Sequence, residues 1–390
     1  MAEPFQLYST QIDRDPFPGY ADLRDNFPCY WSEDAGIWLL SRYDDVSTAA
    51  MDWQSYSSLS GNLIDEIPGR SGNTLGTTDP PRHDRLRGLT NAAFAKKNLT
   101  HLVGPITDIA DRQITQIRQM GDFDFVAEFS SVVTVKVLFE LLGLPVRNPK
   151  EIRSDVVNAI STDKANKGKN EGQLQSFRRI TALLDTHIQE RRREPADDLI
   201  THLATAEIDG DHLSPQEVQL TAAMLVVAGV ESLSSFMSMF MLNLASFHDA
   251  RRAIVSVPDL LPNAMEESLR FNTSAQRFKR VLTRDTILHG QTMRAGDKVA
   301  LMYGAANRDP RKFIDADTFD IRRKPSGHLG FGAGKHYCLG TSLARLVTVT
   351  AIGRLLDQFP EIALPNPPED WVASSNFRSP MALWLNTNSA

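Results

Sequence analysis

A mainly α-helical fold with a small β part is what this sequence predicts, and three observations carry it. Four windows, 101–120, 125–142, 150–162 and 174–193, place apolar residues three and four apart, the period of a helix with one buried face. The segment from Ser214 to Phe247 reads as one helix of about 30 residues, roughly 45 Å long. Extended patterns are short by comparison: Ile37 to Leu40, and runs between 281 and 300 broken by Gly290 and Gly296.

The bulk numbers narrow the class. The chain has 390 residues with no Gly/Ser linker, low-complexity tract or internal repeat, so residues 1–390 read as a single domain. A net charge of -6 argues against nucleic acid as the main partner, because phosphate binding leans on excess Lys and Arg. The start lacks a basic region followed by an apolar run, so no secretory signal is visible. Leu220 to Phe247 is apolar, but Glu231, Asn243 and several serines make it a buried core helix rather than a membrane span. Two distant cysteines, Cys29 and Cys338, do not make a disulfide framework. A reduced, cytoplasmic protein is the expectation, with Cys29 a small buried residue.

Along the chain, the opening is broken by prolines, and Ile37 to Leu40 reads as a strand beside turns. Residues 55–81, rich in Ser, Gly, Asn and Pro, read as a long loop, a feature usually tied to function. Helical patterns dominate from Arg82, and 161–172 is a polar, exposed connection. The long helix has a capping box, Ser214 with Glu217, and Pro215 at its first position. A helix around 260–271 and a final one from Leu339 to Phe359 complete the set.

The stretch HLGFGAGKHYCLG, residues 328–340, holds four glycines, two histidines and one cysteine. A phosphate-binding loop fails, since His336 follows Lys335 and Leu329 stands where a glycine is needed. A dinucleotide fingerprint fails at Tyr337. Zinc would need further cysteines or clustered histidines. What remains is a thiolate at a helix start, where backbone N–H groups stabilise an anion, set against a small buried cysteine in a turn. Such a thiolate suits an axial ligand to haem iron, where it favours O–O cleavage.

The motif Phe331, Gly332, Gly334, His336, Cys338 and Gly340 fills every fixed place of the haem loop of the cytochrome P450 family, which the chain resembles over nearly its whole length. The resemblance implies the cytochrome P450 fold with its long central helix over haem, and haem b (iron protoporphyrin IX) as cofactor. Cys338 becomes the metal ligand, with Phe331 and Gly332 beside the haem and His336 at a propionate. It makes His83, Arg87 and Arg280 the other propionate partners, where read alone His83 is an ordinary surface histidine. Glu267-Ser-Leu-Arg270 matches the family's Glu-x-x-Arg, a structural pair expected to reach Arg323.

Within the long helix, Gly229 and Glu231 are local penalties, about 1 kcal/mol for a mid-helix glycine and more for an unpartnered buried acid. One reading is a packing glycine and a paired acid. The other is a groove where Ala228 and Gly229 leave room for O2 and substrate. The resemblance supports the groove and makes Glu231 and Ser232 a proton relay, with Ser232 in place of the family's usual Thr. It also places Leu225, Ser274, Ala275, Phe278 and Phe377 around the substrate.

The expected activity is that of an oxidoreductase, a haem-thiolate monooxygenase. It inserts one oxygen atom of O2 into a small-molecule substrate by hydroxylation or O-dealkylation, with electrons from a separate ferredoxin-type donor. Lys96, Lys97, Arg85, Lys335 and Arg345 would form a basic docking face. A peroxide-driven or atypical biosynthetic oxidase, and a haem-binding sensor or carrier, are the alternatives.

Overall fold

The computed structural model describes residues 5–94, 99–145, 148–324 and 326–387. Its axis is the helix Pro215–Ser246. The capping box forms as the sequence requires: Ser214 Oγ accepts the Glu217 N–H at 3.2 Å, and the Glu217 carboxylate accepts the Ser214 N–H at 2.9 Å. By length and composition this helix could cross a membrane, yet it is largely buried. The helices Ser131–Leu142, Pro149–Ile160, Glu171–Arg193 and Leu261–Phe271 pack round it. A helix apolar nearly all round needs such a sleeve.

The small β part is centred on a five-stranded sheet in the order Cys29–Ser32, Ile37–Leu40, Lys298–Leu301, Phe278–Leu282, Tyr56–Ser57. Ile37–Leu40 and Lys298–Leu301 run parallel, and the other pairs are antiparallel. Alternation along Phe278–Leu282 matters for the site. Phe278 and Arg280, two apart, face the same cavity.

The predicted helices appear with shifted ends. The window 101–120 becomes Val103–Ile117, and 125–142 begins as the π-turn Val126–Ser130 before Ser131–Leu142. The last helix starts at Thr341 rather than Leu339. The proline-broken opening hides a helix, Phe17–Asn26, in which Pro18 sits in the first turn, where a missing N–H costs nothing. Helices Tyr43–Met51, Leu199–Thr205 and His248–Ser256 carried no signal strong enough to be read. Cys29 is buried as expected, its Sγ 3.8 Å from Met293 Sδ.

A buried ion cluster ties the helical and irregular parts together. Arg270 meets both oxygens of Glu267 at 2.8 Å, and both side chains are fully buried. Arg323 joins Glu267 at 3.2 Å, as the resemblance implied. The remaining Arg270 donors reach the carbonyl oxygens of Asn307, Ala316 and Thr318 at 2.7–3.0 Å. Every Arg270 N–H and both Glu267 oxygens therefore have partners, the condition under which a buried pair is tolerated. Arg270→Ala leaves Glu267 charged and enclosed. The expected loss is about 3–5 kcal/mol of stability, read as a fall in the urea midpoint at unchanged slope.

Candidate active site

The loop 328–340 owes its shape to its glycines. Gly332 and Gly334 have φ of +72° and +65°, a region that L side chains avoid. A Cβ on Gly334 would lie 2.6 Å from the Ala50 carbonyl oxygen, and one on Gly330 would lie 2.8 Å from that of Leu269. The loop thus lies directly on two neighbouring backbones. The Cys338 N–H closes it by donating to the Phe331 carbonyl at 2.9 Å.

Cys338 is half-buried and lines a cavity of about 320 Å³. The sequence pointed to a depressed thiol pKa at a helix start. Here burial wins and pushes the thiol up, against the Gly340 N–H and the charges of Arg87 and Arg345. The helix begins too late to help, since Cys338 precedes Thr341 by three places. A metal cation against the sulfur would reverse that balance.

His83, Arg87, Arg280 and His336 all line the same cavity. His83, far from being a surface histidine, is 1% exposed. Its Nδ1 lies 2.9 Å from Asp84 Oδ1, and its Nε2 is buried without a hydrogen-bond partner among the described residues. The same holds for His336 Nε2, whose nearest acid oxygen, on Asp79, is 3.8 Å away, beyond hydrogen-bond reach. Burial, with Arg280 and His83 nearby, lowers the His336 pKa to about 4. Arg87 donates to the Tyr337 carbonyl at 2.8 Å, and Arg280 to that of Lys279 at 2.8 Å. Two orphaned imidazole nitrogens and two guanidinium groups in the cavity that holds the thiol fit a flat metal-bearing group with acidic substituents, because buried polar atoms require partners.

On the long helix, Ala228, Gly229 and Ser232 line the cavity. Ala228 is exposed although it lies mid-helix, so its face opens on empty space. Gly229 satisfies both readings of it. It borders the cavity, and a Cβ there would meet Leu138 Cδ1 at 2.8 Å. Glu231 is placed differently from its neighbour. One residue turns a helix by about 100°, and Glu231 is absent from the cavity wall beside Ser232. It accepts from Ser235 Oγ at 2.8 Å and lies 3.8 Å from Arg153 Nε, its own pKa raised by burial. Ser232 thus faces the cavity, and Glu231 turns toward Arg153.

Leu225, Ser274, Ala275, Phe278 and Phe377 all reach the cavity, with Phe331 and Gly332 at the thiol end. The long loop contributes Asn62, Leu63, Arg70, Leu75 and Gly76. Its neighbour Asp65 is buried and takes hydrogen bonds from Tyr8 at 3.0 Å, Thr162 at 2.8 Å and Ser375. That carboxylate links the loop to the N-terminal segment, to the 161–172 connection and to the C-terminal turn.

The basic face does not stand free. Arg85 pairs with Asp211 and with Glu217 at 2.9 Å, and Lys335 with Asp84 at 2.9 Å. Arg345 grips Glu266 at 2.6 and 3.1 Å. Lys96 and Lys97 lie outside the described residues. Sequence reading also missed Asp79, Arg70 and Arg153. Asp79 had a local signal, an acid before the prolines 80 and 81. Arg153 had none, because its partner is far along the chain.

Comparison with known proteins agrees with this geometry. A family model described as Cytochrome P450 matches residues 258–371, from ahead of Glu267 to beyond Cys338. The chain is 33% identical over 346 residues to Cytochrome P450 107B1 of Saccharopolyspora erythraea, covering 85% of this chain and 84% of that protein. It is 32% identical to the Vitamin D(3) 25-hydroxylase of Pseudonocardia autotrophica, covering 93% and 91%. The crystal structure of CYP109E1 from Bacillus megaterium in complex with testosterone superposes with a TM-score of 0.90 at 26% identity, covering 97% of this chain and 100% of that one.

Gly334→Ala should destabilise the protein by about 1–3 kcal/mol through left-handed strain. Gly340→Ala is the control, since its Cβ would meet nothing closer than Cys338 Sγ at 4.0 Å, and thermal melts compare the two. Glu266 gives a pH signature. Burial opposes its charge, but hydrogen bonds from His328 and Arg345 hold its pKa at about 2, below the ordinary 4.5. The unfolded chain then binds the extra proton, so this stability is present above pH 4.5 and is lost toward pH 2. Glu266→Gln should flatten the acid limb of the denaturation midpoint in that window.

Proposed function

The chain belongs to the cytochrome P450 family and is a monooxygenase, and on that premise we propose that it inserts one oxygen atom of O2 into a small or medium organic substrate, by hydroxylation or O-dealkylation, as a soluble cytoplasmic protein of one domain. Cys338 would hold haem b, with His83, Arg87, Arg280 and His336 as partners for its propionates, and the group would supply the reductive activation of dioxygen. The observation that carries the reading is the cavity itself, which is lined both by Cys338 on a glycine-shaped loop and by buried imidazole nitrogens that lack partners among the described residues. In this reading, electrons come from a ferredoxin and its reductase.

The chain's own residues do three things. Apolar walls from Leu225, Leu233, Ala275, Phe278 and Phe377 exclude water and hold the substrate. Ala228 and Gly229 leave the cavity face of the helix without side-chain bulk. Ser232 offers a hydroxyl to the cavity, and a proton reaching it from Glu231 must travel around the helix or through water. Burial raises the Glu231 pKa, against the opposing charge of Arg153 and the hydrogen bond from Ser235.

Ser232 in place of the family's usual Thr supports a second reading, a peroxide-driven oxidase, in which hydrogen peroxide itself supplies the oxygen atom, the two electrons and the two protons. Turnover with a surrogate ferredoxin system against turnover with hydrogen peroxide alone separates the two, and the first should give more product. Cys338→Ala should keep the fold but lose the thiolate-type carbon monoxide spectrum, and retention of that spectrum ends the proposal. Ser232→Ala should lower donor-driven turnover by on the order of 10²-fold, with Ser232→Thr close to the parent enzyme. Product per electron donor consumed is the measurement.

A further inference from the structure

One charged side chain in the cavity is used neither by the thiol end nor by the propionate site. Arg70 lies in the long loop, is 4% exposed, and lines the cavity with Asn62, Leu75 and Met224. It is fixed in place. Its Nη1 donates to Glu66 Oε1 at 2.6 Å, and its carbonyl accepts from Thr77 Oγ1 at 2.6 Å. Glu66 is in turn saturated by the N–H groups of Asn62, Leu63 and Ile67 at 2.8–3.1 Å. The Nη2 group is different. Its acceptors are the thioether of Met224 at 3.1 Å and the side-chain oxygen of Asn62 at 3.3 Å. Thioether sulfur is a weak acceptor on a side chain that repacks readily. A guanidinium donor facing an apolar cavity with so poor a partner points to a ligand oxygen.

Arg70 also has a defined height above the floor. Met224 precedes Ala228 by one helical turn, about 6 Å along the axis. A molecule held at Arg70 therefore extends its hydrocarbon body down toward Ala228, Gly229 and Cys338.

We propose that Arg70 anchors an uncharged, mainly apolar substrate by one carbonyl oxygen, which replaces Met224 Sδ at Nη2. The fork decides against a carboxylate. Carboxylates gain most from two parallel N–H donors, and Glu66 already holds Nη1. The other charges around this pair, Asp65, Lys169 and Lys279, do not line the cavity and give an anion no second cation there. The inference rests on the monooxygenase reading above and names the substrate class for it: ketones and related carbonyl compounds on a compact hydrocarbon skeleton.

The test measures binding rather than turnover. Isothermal titration of the holoprotein with 2-decalone, decalin and decalin-2-carboxylate should give the ketone an advantage of about tenfold over both others. Arg70→Gln should reduce that advantage to about twofold or less. Since this variant leaves Glu66 unpaired, the double variant Arg70→Met/Glu66→Gln removes both charges and should behave alike. Met224→Leu keeps the fold-bearing groups and should preserve or enlarge the ketone preference. Equal binding of ketone and hydrocarbon, tighter binding of the carboxylate, a preference that survives the double variant, or binding of none of the three would overturn the proposal. A carbon monoxide difference spectrum on the same preparations reads the thiolate independently, so failure of the anchor and failure of the monooxygenase reading give different results.

Discussion

The arrangement of the molecule depends on one fully buried ion pair, Glu267 with Arg270. Charges enclosed in protein persist only where each has partners, and here the partners are carbonyls from a stretch with little regular structure. Arg270 holds the Asn307 carbonyl, and the Asn307 side chain accepts the Leu329 N–H at 2.7 Å. Leu329 opens the loop that carries Cys338. A helix is thereby connected through two residues to the cysteine, and Gly330 lets the loop touch that helix at Leu269. The pair does no chemistry. It sets the place where chemistry occurs.

On the opposite wall the long helix meets two demands with small residues. Its core must be apolar on every side, because other helices surround it, yet at Ala228 and Gly229 it must leave space. Gly229 is confined by Leu138 behind and opens on the cavity in front. Acid and hydroxyl next to each other in sequence then fall on different faces. The helix geometry itself separates Glu231, among Arg153 and Ser235, from Ser232 at the cavity.

What could be read from sequence follows physical locality. The helix Pro215–Ser246 was legible because its cap, its proline and its apolar run are consecutive. The cysteine loop was legible because its glycines answer a backbone need expressed within a few residues. Phe17–Asn26 was hidden by prolines that suit a helix start as well as a turn. The direction of Glu231 was illegible, since the attraction of Arg153 comes from another helix. The thiol's raised pKa was illegible for the same reason: enclosure is a tertiary property, whereas the favourable N–H groups are local. The basic face was legible as composition but not as free charge, because Asp84, Asp211, Glu217 and Glu266 arrive from elsewhere in the fold.

Asp65 has a consequence for how the wall of the cavity is held. Its carboxylate receives hydroxyls from Tyr8, Thr162 and Ser375, and it sits beside the wall residues Leu63 and Asn62. Drawing any one of these strands of chain outward strips a donor from an enclosed anion, and the remaining two are weakened as solvent enters. The three segments are therefore tied to the long loop through one carboxylate rather than through independent contacts.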